Sequence, residues 1–436
     1  MIVRFGCSNY RSINKYQELL LTASSLHDEQ SFLIDKPSSF NEKLLPCAGI
    51  YGANASGKTN ILLAINYLVR AVVTSHRSNL EDQVVVNSFK LGSDDDRPSS
   101  FDIDFICADI HYHYGFTIGN DRFEEEWLFE YSYIQRKSRK ILFHRKFNQE
   151  EEFYFGSTLK GHNKQLSDLT KENSLFLSVA ANSNHEQLGK IYKFFKDSFH
   201  FRFSQNLVSE IIANEVKKTG TIDKLSQFMS KLETGISRLD IVSEEIPDFE
   251  KNIRKKLFSA FPAELVGNDE AFKKQQEQQT REVLRTVHIS ESGEEVVFPL
   301  EDESLGTRAA IALLAPLFDT LNNGGTFIID EIESSLHPLL TLEAVKLFND
   351  PSVNKMNAQL IFSTHETSVL CGGILRRDQI WLTEKDFSQG TVLTPLSDFR
   401  TRKTDNIRTG YLDGRFGAIP FFGDIITIIE DKESAQ

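Results

Sequence analysis

A run of eight residues, Gly52-Ala53-Asn54-Ala55-Ser56-Gly57-Lys58-Thr59, has the residue types and spacing of a phosphate-binding loop. Its two glycines free backbone N–H groups to surround a β-phosphate. At the helix-side end, Lys58 is placed to contact the β- and γ-phosphates, and Thr59 to offer its hydroxyl to Mg²⁺. The predicted nucleotide-binding residues of the loop are Gly52, Asn54, Ala55, Ser56, Gly57, Lys58, Thr59 and Asn60.

The segments on either side agree with such a loop. The apolar run 47–51 predicts a short buried strand before it, and a helix is predicted after it because Leu62, Ile65, Val69 and Val72 repeat at helical spacing. The loop would then lead into a helix N-terminus, where unpaired N–H groups and the helix dipole favour an anion. A chance match of four fixed positions is expected in only about 1% of chains of this length, so a nucleotide site is preferred over an ordinary turn.

Two later strands end in side chains suited to phosphate chemistry. The apolar run 326–329 ends in Asp330 and Glu331, and the run 360–362 is followed by Ser-Thr and His365. Strands that alternate with helices predict a parallel sheet, whose ligands lie at the carboxyl ends of the strands. We expect Asp330 to act in the outer coordination sphere of Mg²⁺, Glu331 to activate the attacking water, and His365 to donate a hydrogen bond to the γ-phosphate.

The sequence predicts a second helix whose N-terminus could face an anion. Ser304 stands where it would cap a helix that continues through Leu313 and Leu317. One chain already has a phosphate-binding helix, so a second one is best explained if it completes the site of another subunit.

Composition narrows the class of protein. The 436 residues carry a formal net charge of −13, which argues against a surface that grips nucleic acid everywhere. The four cysteines have no paired or metal-type spacing, and no apolar run approaches the length of a membrane span. The N-terminus lacks the apolar stretch of a signal peptide, so a cytoplasmic protein without membrane contact is expected.

Pattern changes divide the chain into three predicted parts. Residues 1–160 contain the phosphate loop and, between 85 and 155, an antiparallel β-meander with one buried aromatic face. Residues 161–295 are expected to form a compact, mostly helical insertion, and 296–436 a second α/β lobe. His111 and His113 share a strand face, but without a third ligand at suggestive spacing we expect solvated strand histidines rather than a metal site.

The order of these motifs resembles the ATP-binding-cassette (ABC) type AAA family ATPases of bacterial anti-phage and abortive-infection systems, such as RloA-like proteins and the PARIS ATPase. The motifs that carry the resemblance, besides the phosphate loop, are Glu-Ser-Leu-Gly-Thr at 303–307, Ile-Ile-Asp-Glu at 328–331, Ser-Ser-Leu-His-Pro at 334–338 and Ser-Thr-His at 363–365. The segments 173–177 and 410–420 extend it over nearly the whole chain. It implies an α/β fold: an ABC-type P-loop NTPase head with an antiparallel β-meander lobe and a compact helical insertion.

The resemblance also implies roles for particular residues. Ser304 and Gly306 would belong to a signature motif that contacts the nucleotide of a second protomer, residues 334–337 would form the loop that communicates between subunits, and His365 would be the switch histidine. Only Gly306 stands where transporter-type signatures have two adjacent glycines. Gln83 is the one candidate we name for the glutamine that links Mg²⁺ to the meander.

The expected protein is an ATP- and Mg²⁺-dependent ATPase, assembled at least as a head-to-tail dimer. By resemblance it would control a separately encoded effector, a nuclease of the TOPRIM type, in defence against phage, with a phage protein as a candidate trigger. The residues that follow His365 in this sequence are fewer than a typical nuclease domain contains, so we expect the nuclease to be a separate protein.

Two other functions stay open. A DNA-repair or chromosome-maintenance ATPase would need a basic groove and nucleic-acid-stimulated hydrolysis. A P-loop kinase acting on a small molecule would have no use for the second anion-facing helix that begins at Ser304.

Overall fold

The structure is a computed structural model of the whole chain. It describes residues 1–26, 28–29, 32–35, 40–79, 81–92, 97–132, 138–203, 207–232, 234–260, 279–402 and 405–419. The chain forms two compact units: a first unit of Met1–Phe203, Thr320–Glu333 and Pro338–Gln436, and a second unit of Ser204–Asp319 and Ser334–His337. The three parts predicted from the sequence, with boundaries at residues 160 and 295, are divided differently from these two units. That division into domains stays a prediction.

The strands in chain order are β1 (Ile2–Ser8), β2 (Gln17–Leu20), β3 (Cys47–Gly52), β4 (Ser99–Cys107), β5 (Ile110–Gly119), β6 (Arg122–Ser132), β7 (Ser138–Lys146), β8 (Phe153–Phe155), β9 (Phe199–Arg202), β10 (Ile236–Glu245), β11 (Thr280–Ile289), β12 (Glu295–Pro299), β13 (Thr326–Ile329), β14 (Gln359–Ser363), β15 (Ile380–Lys385) and β16 (Thr391–Pro395).

The described α-helices are α1 (Lys58–Thr74), α2 (Asn163–Asp168), α3 (Phe176–Asn182), α4 (Glu186–Asp197), α5 (Ser209–Thr219), α6 (Ile222–Met229), α7 (Asp248–Ala260), α8 (Leu305–Asn323), α9 (Pro338–Asn349) and α10 (Ile407–Leu412). Short 3-10 helices cover Ser75–Arg77, Leu300–Asp302, Thr367–Leu370, Arg377–Gln379 and Leu396–Asp398. Among the described residues, no helix combines the length and apolarity that crossing a bilayer requires.

The first unit contains the predicted meander as part of a seven-stranded antiparallel sheet, in the order β2-β1-β4-β5-β6-β7-β8. Alternate residues of its strands are buried, among them Phe101, Phe105, Tyr114 and Phe116, which confirms one buried aromatic face. Asn120 and Asp121 join β5 to β6 with positive φ at both residues, as a tight hairpin turn requires.

The alternating aromatic pattern of the sequence continues through Trp127 and Tyr131, which predicts that they extend the buried face, but they do not. Both are half-buried. The ring of Trp127 contacts that of His113 at a centroid distance of 6.1 Å, and these two rings lie on the face of the sheet opposite the buried aromatic residues. The register of β5 and β6 shifts between Thr117 and Ile118, and that of β6 and β7 between Leu128 and Phe129. Alternation read from the sequence cannot follow such shifts, because one displaced residue reverses the face of those after it.

The second sheet of the first unit is the predicted α/β sheet, in the order β16-β15-β3-β14-β13-β9. Strands β15, β3, β14, β13 and β9 are parallel to one another, and only β16 is antiparallel. Ile50 pairs with Ser363, and Ile329 pairs with Phe362. The register therefore places the carboxyl ends of β3, β14 and β13 at one edge of the sheet.

Helix α1 packs in the core that joins the two sheets of this unit. Ile65 of α1, Phe116 of the antiparallel sheet and Ile361 of the parallel sheet belong to one apolar cluster, and each is fully buried. Complete burial of one apolar side chain stabilises the folded state by about 1.5–3 kcal/mol. The helix that begins at the phosphate loop is thus fixed by apolar packing on both sides.

The second unit differs from the compact, mostly helical insertion predicted for residues 161–295. It contains a three-stranded antiparallel sheet, β10-β11-β12, beside helices α5 and α6 and most of α8. Leu225, Leu284 and Ile311 share its apolar core. Short segments with every third or fourth residue apolar fit either a helix or a half-buried strand, and here the pairing of β10 with β11 decided for strands. The polar run at 273–279 lies outside the described residues except for Gln279.

Candidate nucleotide-binding site

The phosphate loop connects β3 to α1, as the spacing predicts. Gly57 forms the N-cap of α1 with a φ of 113°, a backbone conformation that favours glycine. The ammonium of Lys58 is almost wholly buried and donates hydrogen bonds to the carbonyls of Gly52 and Ala53, at 2.9 and 3.2 Å. Lys58 thus lies folded over its own loop, where a phosphate group would replace the two carbonyls as its acceptor.

Two threonines outside the loop hold its shape. The hydroxyls of Ser56 and Thr383 are 2.6 Å apart, and Thr391 donates from Oγ1 to the carbonyl of Ser56 at 2.8 Å. A Cβ added at Gly57 would lie 2.0 Å from Oγ1 of Thr391. A glycine is therefore required at position 57 for two reasons: its φ is unfavourable for other residues, and strand β16 packs too closely for a side chain. Sequence reasoning missed both threonines, because nothing in their local sequence marks them.

The remaining loop residues divide into exposed and tethered ones. Asn54 and Ala55 are exposed at the turn of the loop, where Ala55 has a φ of 62°. Asn60, predicted as a nucleotide ligand, donates from its amide to Oγ of Ser12 at 2.7 Å. Ser12 in turn lies 2.7 Å from Oγ1 of Thr391, so Asn60 supports the loop through the turn after β1.

The loop and the strand that ends in carboxylates meet at Thr59. Its hydroxyl donates to Asp330 at 2.9 Å from Oδ2 and 3.2 Å from Oδ1. The backbone N–H of Asp330 is held by the carbonyl of Arg202 at 2.9 Å. Because a hydroxyl and a carboxylate are oxygen ligands of the kind Mg²⁺ prefers, this pair fits the metal the sequence predicts. Thr59 would bind the ion directly, and Asp330 would lie in its outer coordination sphere.

Ser363, at the end of β14, joins the two carboxylate positions. Its hydroxyl donates to Oδ1 of Asp330 and accepts from the backbone N–H of Glu331 at 2.8 Å. Glu331 has a φ of 49° and is exposed, so its side chain faces away from the core. A non-glycine residue in this conformation is strained and persists only where its surroundings hold it. The Ser363 contact is one such constraint.

His365 lies in the turn that follows the same strand. Its backbone N–H donates to Oε1 of Glu333 at 2.7 Å, and the preceding Thr364 donates from Oγ1 to Oε2 of Glu333 at 2.6 Å. Glu333 was not predicted as a site residue. Its only sequence signal is its place two residues after Glu331.

The charges of the site act on two titratable groups. Burial lowers the pKa of Lys58, and the nearby carboxylates of Asp330, Glu331 and Glu333 oppose that shift. Burial also lowers the pKa of His365, and the Lys58 ammonium lowers it further. His365 is therefore neutral near pH 7, with one ring N–H available to donate a hydrogen bond.

Ser304 and Gly306 lie in the second unit, at the start of α8. Ser304 caps the helix as predicted: its Oγ accepts from the N–H of Thr307 at 3.1 Å, and its side chain is exposed. A Cβ on Gly306 would come within 3.3 Å of the carbonyl of Ser335, so the signature segment and the segment 334–337 touch within this unit. The preceding Glu303 accepts from Thr286 at 2.6 Å and lies 2.7 Å from Nε2 of His288.

Gln83 lines a groove along α1 rather than the carboxyl edge of the parallel sheet. The groove has a volume of about 390 Å³, and Arg11, Asn66, Arg70 and Asn87 share it. None of its described lining residues is an aspartate or glutamate. Whether Gln83 links the metal to the meander stays a prediction.

The two strand histidines do not behave as solvated side chains. His111 is buried, with Nε2 3.1 Å from Asp104, and His113 lies 3.3 Å from Asp102. These two aspartates and His113 are close enough to hold a metal ion. The guanidinium of Arg4 already pairs with both aspartates, however, so it takes the place a cation would need.

Parallel strands, a phosphate loop before α1, paired carboxylates after β13 and an antiparallel sheet lobe together define a P-loop NTPase with an ABC-type head. The sequence from residue 47 to residue 371 matches the family described as "AAA domain, putative AbiEii toxin, Type IV TA system". Because the match covers well over half of the 436 residues, the chain belongs to this family.

Comparison with solved structures gives distant similarities. One is the SmcHead bound to the C-winged helix domain of ScpA, at 15% identity and a TM-score of 0.43, over 91% of this chain and 99% of that chain. Another is the SMC head domain from Thermotoga maritima, at 11% identity and a TM-score of 0.34, over 90% and 98%. No curated protein matches the sequence. The fold assignment rests on the sheet order and the phosphate loop rather than on these two structures.

Proposed function

We propose that this protein is an ATPase that binds ATP with Mg²⁺ between two head-to-tail protomers and uses its hydrolysis to control a separately encoded toxic effector. The observation that carries the ATPase assignment is the contact between Thr59 and Asp330, continued by Ser363 to Glu331. It brings the phosphate loop, a metal-binding pair and a carboxylate able to act as base to one edge of the sheet.

Each residue of the site has a role in this reaction. Lys58 leaves the carbonyls of Gly52 and Ala53 and contacts the β- and γ-phosphates. Mg²⁺, when bound, neutralises charge on the phosphates. Glu331 orients the attacking water and accepts its proton, and the neutral ring of His365 donates a hydrogen bond to the γ-phosphate. Backbone N–H groups at the start of α1 hold the β-phosphate.

The second protomer is proposed to supply Ser304 and Gly306. Ser304 is exposed at the start of α8, where its hydroxyl accepts from the N–H of Thr307, and the positive end of the helix dipole there favours an anion supplied by another protomer. Leu305, the first residue of the helix, is also exposed, with 55% of its surface accessible. Ser304 and Leu305 thus both lie on the solvent-facing surface at the start of α8.

The biological setting is proposed from the family. Its description names a toxin of a toxin–antitoxin system, and the motif order resembles anti-phage ATPases. We infer a cytoplasmic sensor that responds to infection, with a phage protein as trigger and a TOPRIM-type nuclease as effector. Examination of the neighbouring open reading frame would test the partner: a nuclease gene supports it, and a gene for a DNA-repair subunit contradicts it.

The ATPase assignment is tested by phosphate release from purified protein. Lys58→Ala removes a charged contact to phosphate worth about 1.5–3 kcal/mol, which predicts at least a tenfold loss of ATP affinity. Glu331→Gln should retain ATP binding but lower turnover by about 10²–10⁴-fold and accumulate an ATP-bound assembly. Unchanged turnover in the Glu331 variant would refute its role as base.

Sharing of the site is tested by mixing two inactive variants. A dimer of Lys58→Ala with Ser304→Arg contains one site in which both the loop and the signature are intact. Mixing should therefore restore part of the activity, whereas each variant alone stays inactive. No restoration at any ratio, with both variants folded, argues that a single protomer forms the whole site.

The groove along α1 favours one alternative, an ATPase that binds DNA directly. Arg11 and Arg70 place two positive charges there with no carboxylate among the described lining residues. Duplex DNA should then stimulate hydrolysis, and Arg70→Glu should abolish the stimulation without changing basal turnover. Absence of DNA binding at low salt would leave effector control as the better account.

A further inference from the structure

Glu333 makes an unusual pair of contacts beside the proposed site. Its two carboxylate oxygens accept from the Thr364 hydroxyl at 2.6 Å and from the His365 backbone N–H at 2.7 Å. Both donors belong to the turn that carries the switch histidine. One side chain therefore fixes that turn from two directions.

Thr364 makes two further contacts in this turn. Thr364 is fully buried, and its N–H donates to the carbonyl of Ile50 at 3.1 Å. Its hydroxyl also accepts from the N–H of Glu366 at 2.9 Å, so the contact with Glu333 continues through Thr364 to the next residue of the turn. Glu333 thus contacts the His365 backbone directly. Through the Thr364 hydroxyl it also fixes the two neighbours of His365, Thr364 and Glu366.

Glu333 also stands at a junction in the chain. It follows Glu331 by two residues and is the last residue of this part of the first unit. The next residue, Ser334, begins the segment 334–337 that belongs to the second unit and contacts Gly306 there.

We propose that Glu333 is a positioning residue that holds the backbone of His365 in place. This inference rests on the proposed ATPase function. Glu333 itself contacts no reacting atom: it acts through the backbone of His365 and the side chain of Thr364. Its effect should therefore fall on turnover more than on nucleotide affinity.

The kinetic test compares Glu333→Gln and Glu333→Ala with the wild type. Both variants should lower kcat by about tenfold or more while changing the KM for ATP much less, since one or two hydrogen bonds to a charged group are lost. Glu366→Gln is the matched control: this carboxylate of the same turn accepts from the N–H of Ser368 at 2.8 Å, and its variant should keep wild-type kcat.

A double-mutant cycle with His365→Ala separates positioning from general support of the fold. If Glu333 acts through His365, its loss should cost little further activity once the imidazole is gone. Fully additive losses, or wild-type kcat in Glu333→Ala, would overturn the inference. Should Glu333→Ala fail to fold, the Glu333→Gln variant carries the same test.

Amide hydrogen exchange gives a readout that needs no turnover. The N–H of His365 should exchange faster in Glu333→Gln than in wild type and in Glu366→Gln, with α1 unchanged. Equal exchange in all three proteins would also overturn the inference. If the wild type hydrolyses no ATP yet exchange changes as expected, the proposed function fails while the positioning contact stands.

Discussion

The hydroxyl of Thr59 lies 2.9 Å from Oδ2 of Asp330, although 271 positions separate the two residues in the chain. Thr59 is the second residue of α1, which follows the phosphate loop, and Asp330 directly follows strand β13. Their contact joins two motifs that are chemically ordinary when taken separately. Only the parallel register of β3, β14 and β13 brings them to the same edge.

This contact predicts how activity depends on magnesium. Asp330→Ala should raise the Mg²⁺ concentration for half-maximal ATP hydrolysis by tenfold or more, because about 1.4 kcal/mol of lost metal binding equals a factor of ten. A magnesium titration of phosphate release measures the shift. Asp223→Asn, which changes an exposed carboxylate of the second unit, should leave the titration unchanged. Equal magnesium requirements in Asp330→Ala and wild type would disprove the metal assignment.

Ser363→Ala tests the bridge between the two carboxylate residues. The substitution leaves the N–H of Glu331 without its Ser363 acceptor and removes one of the two hydroxyls that donate to Asp330. Loss of a hydrogen bond of this kind costs about 1–3 kcal/mol, so kcat should fall by about 5-fold to 160-fold. Steady-state kinetics check this against Ser230→Ala in the second unit, where the wild-type hydroxyl donates to the carbonyl of Gln227 at 3.0 Å. Wild-type kcat would mean that the bridge does not position Glu331.

Gly57→Ala should abolish nucleotide binding. The added Cβ would lie 2.0 Å from Oγ1 of Thr391, and the φ of 113° is unfavourable for alanine. Binding of a fluorescent ATP analogue measures the loss. At Gly189, in α4, a Cβ meets nothing within 4 Å, so Gly189→Ala should bind normally and gain about 0.5–1 kcal/mol of stability. Normal binding by Gly57→Ala would show that the strand β16 does not confine the loop.

Stability should fall as the pH drops below the ordinary histidine pKa of 6.5. Burial lowers the pKa of His76, His185 and His365 in the folded protein. The unfolded chain then binds more protons than the folded one in this range, so the free energy of unfolding decreases as pH falls. Thermal unfolding across this pH range measures the slope, which should be smaller in His365→Asn. A steeper slope in that variant would contradict the assigned direction.

Tyr51→Phe tests a buried hydroxyl with no hydrogen-bond partner among the described residues. Tyr51 is fully buried just before the phosphate loop, so the change should leave stability unchanged or increase it by about 1 kcal/mol. Tyr411 is the comparison, because its hydroxyl donates to the carbonyl of Ala418 at 3.2 Å. Tyr411→Phe should lose about 0.5–1.5 kcal/mol in denaturant unfolding. A clear loss in Tyr51→Phe would show that its hydroxyl is bonded in solution.

Much of the site could be predicted from the sequence because its chemistry is local. The loop ending in Lys58 and Thr59 needs only a fixed spacing of glycines and a following helix, both of which are properties of a short segment. Asp330 and His365 were recognised for a similar reason: each follows a short apolar run whose composition marks a buried parallel strand. The cap at Ser304 is likewise a property of four consecutive residues.

The tertiary structure decided everything that depends on contacts between distant segments. Thr383 and Thr391 support the loop, Ser363 joins Asp330 to Glu331, and Glu333 holds the turn of His365. A serine or threonine carries no local mark of such a role, since its partner is chosen by strand register and packing rather than by neighbours in sequence. For the same reason, the segments of β10 and β11 form strands because they pair with each other. The pattern of residues along one segment carries no information about that pairing.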